Sequence, residues 1–61
     1  MGEPVAAKIA HLRDHAREYR RLAAEHRAAD NLLIADKLLE AAADCDAKAA
    51  ELERLAAQKS N

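Results

Sequence analysis

The chain has 61 residues, ten of them basic and eleven acidic, and 17 are alanine, against one each of Gly, Pro, Cys and Tyr and no Phe or Trp. A chain this short makes one domain with a marginal core, and its single cysteine excludes an internal disulfide. The near-zero net charge of −1 argues against electrostatic binding of nucleic acid, and no apolar run approaches the ~20 residues needed to span a bilayer.

In chain order, Glu3 and Pro4 suit a helix start, since a first-turn proline gives up no hydrogen bond and an acid favours the positive end of the dipole. A first helix is predicted from about Pro4 to Ala28. Asp30 and Asn31 follow, both good N-cap residues, and Asn also tolerates the left-handed conformation that closes a helix. A second helix is predicted from about Leu32 to Gln58, ahead of a frayed Lys59-Ser60-Asn61. Ala, Leu, Arg, Lys and Glu dominate both segments and lead the helix-propensity ranking. The amino terminus shows no apolar leader, so a cytoplasmic protein with a reduced thiol is expected. The Ala/Arg-rich vocabulary points to a bacterial genome of high GC content.

Two heptad stripes organise these helices. Val5, Ile9, Leu12, Ala16, Tyr19, Ala23 and His26 recur at four and three; Ala35, Leu38, Ala42, Cys45, Ala49, Leu52 and Ala56 recur at three and four. Folding the chain near residues 30–31 brings together partners whose numbers add to 61. The layers are His26/Ala35, Ala23/Leu38, Tyr19/Ala42, Ala16/Cys45, Leu12/Ala49, Ile9/Leu52 and Val5/Ala56. All but Ile9/Leu52 set a bulky or medium side chain against an alanine, so the helices approach closely without voids. One unbroken helix is disfavoured, because continuing the first stripe would put Asp30, Lys37, Glu40 and Asp44 in the seam. The fold expected is all-α: an antiparallel two-helix hairpin, an Ala-rich coiled coil forming a single domain over 1–61.

The flanks extend this reading. Arg13, Arg20 and Arg27 line one edge of the first helix, facing Asp46 and Glu53. Leu22, Ile34, Ala41 and Leu55 line the other edge, with Leu33 and Leu39 close by, and the hairpin's own seam leaves them wet. Two copies packed face to face would cover them as a four-helix bundle. A homodimer interface is therefore expected at Leu22, Ile34, Leu38, Ala41, Leu52 and Leu55.

Three clusters invite chemistry. His11 and His15, four apart, with Glu18 one turn on, have the spacing of a transition-metal chelate, but no H-E-x-x-H motif or fourth ligand accompanies them, and neighbouring positive charge opposes a cation. An exposed polar face is the simpler reading. Arg13, Arg17, Arg20 and Arg21 could track phosphates, although Asp14, Glu18 and Glu25 interleave with them and no aromatic is placed to stack on bases. Cys45 falls in the seam between Asp44 and Asp46, which disfavour a thiolate, so it reads as a small hydrophobe. His26 suits the negative end of the first helix, and Tyr19 suits packing. No nucleophile–base pair, phosphate loop or cofactor fingerprint is present, so neither catalysis nor a cofactor is expected.

In layout the chain resembles the Rop family of plasmid copy-number RNA-binding proteins: about sixty residues, two helices, a central turn, and a dimeric bundle of alternating small and large layers. That resemblance implies an RNA face on paired first helices. The apolar aromatic expected on that face is absent here, and no individual residue carries over. The segments Ala16-Arg17-Glu18-Tyr19-Arg20-Arg21-Leu22-Ala23 and Leu38-Leu39-Glu40-Ala41-Ala42-Ala43-Asp44 are similar to those of short helical-hairpin proteins of alphaproteobacteria, a group that implies no activity. The expected function is a non-catalytic, self-associating interaction module for a protein partner, with an RNA-binding regulator as the alternative.

Overall fold

The structure, a computed structural model, describes residues 4–59. It consists of α1 (Val5–Ala28) and α2 (Leu32–Lys59), packed along their length as an antiparallel hairpin. Its extents are 48 × 19 × 13 Å. A continuous helix of this chain would reach ~80 Å or more, so the chain doubles back.

Pro4 is the N-cap of α1 and not its first helical residue. Its backbone is extended (φ −57°, ψ 146°), and its carbonyl accepts from the amides of Ala7 and Lys8 at 3.0 and 3.2 Å. At the other end α2 runs through Lys59, one residue past the expected stop. Glu3, Ser60 and Asn61, to which the sequence assigns a dipole contact and a frayed end, lie outside the described residues.

The turn divides its work between two residues. Asp30, and not Asn31, takes the left-handed conformation, at φ 66°. The Asn31 N–H donates to the His26 carbonyl (2.8 Å) and the Asp30 N–H to the Arg27 carbonyl (3.0 Å). This is the nested bonding of a Schellman motif, in which the left-handed site is usually glycine. Asn31 precedes α2 and its carbonyl accepts from Ala35 at 3.0 Å.

Burial follows the two expected stripes. Among the described residues only alanines are buried: Ala16, Ala23, Ala35, Ala42 and Ala49. Each has a larger residue as its layer partner, and Leu12, Tyr19, His26, Leu38 and Cys45 are all half-buried. Ile9 and Leu52 are half-buried too. Val5 departs from the pattern, being exposed, because its layer with Ala56 is the last one toward the open end among the described residues.

Three substitutions test this account. Asp30→Gly should stabilise the hairpin by roughly 0.5–1 kcal/mol, since glycine enters the left-handed region without the Cβ clash, and thermal melts followed by circular dichroism should shift upward. Ala42→Leu should overpack the layer against Tyr19 and cost about 1–3 kcal/mol. Ala47→Leu, on the exposed side of α2, should leave the urea midpoint nearly unchanged.

Candidate interaction surfaces

A plate two helices wide has two broad faces, and helical register makes them unlike. On one, Ala16, Ala23, Ala35, Ala42 and Ala49 form the floor, flanked by Arg13, Arg20 and Arg27 of α1. On the other, the larger residues of each layer (Leu12, Tyr19, Leu38, Cys45 and Leu52) sit beside the flank of Leu22, Ile34, Ala41 and Leu55. The surface hollows follow this division: one is lined by Ala23 and Ala35 with Arg20 and Arg27, another by Leu12 and Leu52 with Lys8, His11, His15 and Lys48.

The arginine face is tied by charge. Arg13 donates through Nη1 to Asp46 Oδ1 at 3.1 Å and through Nη2 to Glu53 Oε1 at 2.5 Å, and Arg20 donates to the second Asp46 oxygen. These bonds cross the seam and bracket the register set by the apolar layers. The Asp46 carboxyl is held below its ordinary range, first by the Arg20 hydrogen bond and then by Arg13. The Arg13 guanidinium is raised, chiefly by Glu53 and then Asp46. On α1 itself, Arg21 bonds both Glu18 and Glu25, which raises Arg21 and lowers Glu18, and Arg17 pairs with Asp14 at 3.3 Å. Each of the four arginines of the possible phosphate row is thus engaged by a carboxylate of its own chain.

Arg27 is different. It continues the seven-residue ladder of Arg13 and Arg20, but the facing positions of α2 are Leu32 and Leu39 where the ladder below meets Asp46 and Glu53. Arg27 forms no ion pair among the described residues. Leu39, expected close to Leu22 and Ile34, lies on this arginine face. The heptad count of α2, carried back from Glu53 through Asp46 to Leu39 and Leu32, is the signal that locates it.

On the apolar face, Ile34 is 46% and Leu55 43% exposed, while Leu22, Leu38, Ala41 and Leu52 are half-buried. Leu33 projects outward from α2 at 74% exposure, over a shallow strip shared with Asp36, Lys37 and Glu40. His11 and His15 rim the hollow above Leu12 and Leu52, whereas Glu18 is turned to Arg21. Among the described residues, no group of three or more His, Cys, Asp or Glu is placed to hold a metal ion. Cys45 is a free, half-buried thiol. No helix of the described residues is long and apolar enough to cross a membrane. Comparison with family models, curated proteins and solved structures found no match.

The Asp46 bonds carry a pH dependence with a definite sign. Its folded pKa lies below the unfolded value of ~3.9, so its contribution is complete above that value and is lost as pH falls through the lowered folded one. The melting temperature should therefore drop between about pH 4 and pH 2. Asp46→Asn should melt below the wild type at neutral pH and show a shallower acid decline; parallel melting curves across this range would exclude the Asp46 contribution.

Proposed function

We propose that the hairpin is a non-catalytic interaction module that pairs with a second copy through its apolar face, forming a four-helix bundle, and presents the remaining surface to a protein partner. The observation that carries this is the unequal burial of the seam. Every buried residue among those described is an alanine, while the leucines and the tyrosine of the layers are half-exposed on one face, beside Leu22, Ile34, Ala41 and Leu55. Covering that face would complete their burial at ~25 cal/mol per Å² of apolar area.

Size supports the same reading. The hairpin exposes 4706 Å², about a fifth more than the ~3,900 Å² of a compact monomer of this mass. A broad face of 48 × 19 Å offers a footprint of roughly 900 Å², close to the ~800 Å² per partner of a stable interface. The interface would be formed by Leu22, Ile34, Leu38, Ala41, Leu52 and Leu55. The carboxylates that engage Arg13, Arg17, Arg20 and Arg21 favour protein binding over phosphate tracking, since a phosphate would have to displace them.

Ile34→Glu and Leu22→Glu place a charge on this face without entering the alanine seam. Light scattering at several concentrations should find the wild type at twice the chain mass and both variants at the chain mass, with helicity retained. Unchanged mass in both variants would exclude this face as the interface.

A further inference from the structure

The end of the arginine face next to the turn is incomplete in charge and in packing. Arg13 and Arg20 each cross the seam to a carboxylate, and Arg27, one heptad on, has none among the described residues. Its place in the ladder faces Leu32 and Leu39, which are 53% and 41% exposed. Between them lies a hollow of about 360 Å³, lined by these three residues with Arg20, Asp36 and a floor that includes Ala23 and Ala35. Beyond the arginines and Asp36, the lining carries only methyl and isobutyl groups.

We propose that this cleft docks an amphipathic helix of a protein partner, with a leucine-sized side chain seated over the alanine floor and a carboxylate reaching Arg27. Three observations select that chemistry. Ala23 and Ala35 are buried in the seam, so the floor lies low between the rims of Arg20, Arg27, Leu32 and Leu39 and leaves depth for a leucine side chain. The cleft spans residues 20–27 of α1, about 10 Å or two helical turns, so residues spaced three, four and seven apart on one helix face would all fall within it. The guanidinium supplies the positive charge for an acid, while Asp36 on the α2 wall asks for a neutral or basic group on the opposite edge of the incoming helix. The inference rests on the protein-binding reading, but not on self-association, because the cleft lies on the face opposite the proposed dimer interface.

The probe is a capped 18-residue helical peptide with leucines at three, four and seven, one glutamate edge and one lysine edge. It is titrated into the ¹⁵N-labelled full chain. Amide shifts should saturate below millimolar peptide and centre on Arg27, Leu32 and Leu39. Replacing the glutamates by glutamine should weaken binding about fivefold or more, as should Arg27→Glu, and Arg27→Glu should instead favour a peptide whose glutamates are replaced by lysine. Arg27 makes no ion pair among the described residues and is exposed, so its replacement leaves the hairpin folded, which circular dichroism verifies. Absence of shifts at 1 mM peptide, shifts centred elsewhere, or indifference to Arg27→Glu would each overturn the proposal. The same titration on Ile34→Glu separates the two readings: binding retained by a monomeric variant supports the cleft alone, and a wild type that is monomeric yet binds overturns only the self-association.

Discussion

Two helices can lie against each other only as closely as the side chains between them allow, and here the residues at closest approach are alanines. Ala16, Ala42 and Ala49 are wholly excluded from solvent, and Ala23 and Ala35 nearly so. Every layer but Ile9/Leu52 then needs only one larger group to fill it. The arrangement is dense, but it is one layer thick at 13 Å, and a single layer has no interior for a leucine. That geometric fact underlies the exposed apolar flank, the surplus surface and the proposal of a covering copy. A globular protein solves the same problem by adding a second layer to itself; in the proposed bundle a second copy supplies that layer.

The two faces of the plate divide the requirements of the fold. The arginine face holds the register: Arg13 and Arg20 share Asp46, and Arg13 also takes Glu53. Such exposed pairs add little stability, yet a one-heptad slip that moved Arg20 off Asp46 would leave it facing only Leu32 and Leu39. Charge here selects among alignments that an alanine seam, nearly uniform along its length, would otherwise allow. The apolar face carries the hydrophobic area, and the turn-proximal end of the arginine face combines some of each.

The hairpin and its layers were legible because the signal was periodic and redundant. Fourteen seam positions point to the same fold axis, and the cross-seam arginine pairs agree with it independently. Local choices were less legible. Asp30 and Asn31 both tolerate the left-handed region, and which one takes it depends on where the last α1 carbonyls find donors. Val5 satisfies the heptad but sits in the last layer of the described residues, so periodicity overstated its burial. Leu39 illustrates a different failure: reading an apolar residue as a neighbour of other apolar residues ignored the seven-residue count that ties it to Asp46 and Glu53. For the candidate surfaces, the sequence identifies which side chains share a face. Which arginine lacks a carboxylate emerges only when rotamers and cross-seam distances are known.

The Schellman turn has a kinetic consequence. His26 and Ala35 meet in the first layer with only eight residues between them, so the earliest tertiary contact closes a very small loop at little entropic cost. Each further layer then extends the paired segment by a few residues on either arm, and no step has to bring distant stretches of a disordered chain together. Assembly can proceed as a zipper from the bend toward the open end, within the microsecond-to-millisecond range of small helical proteins. By the same logic the layers around Val5 and Ala56 are the last to close and the first to fray.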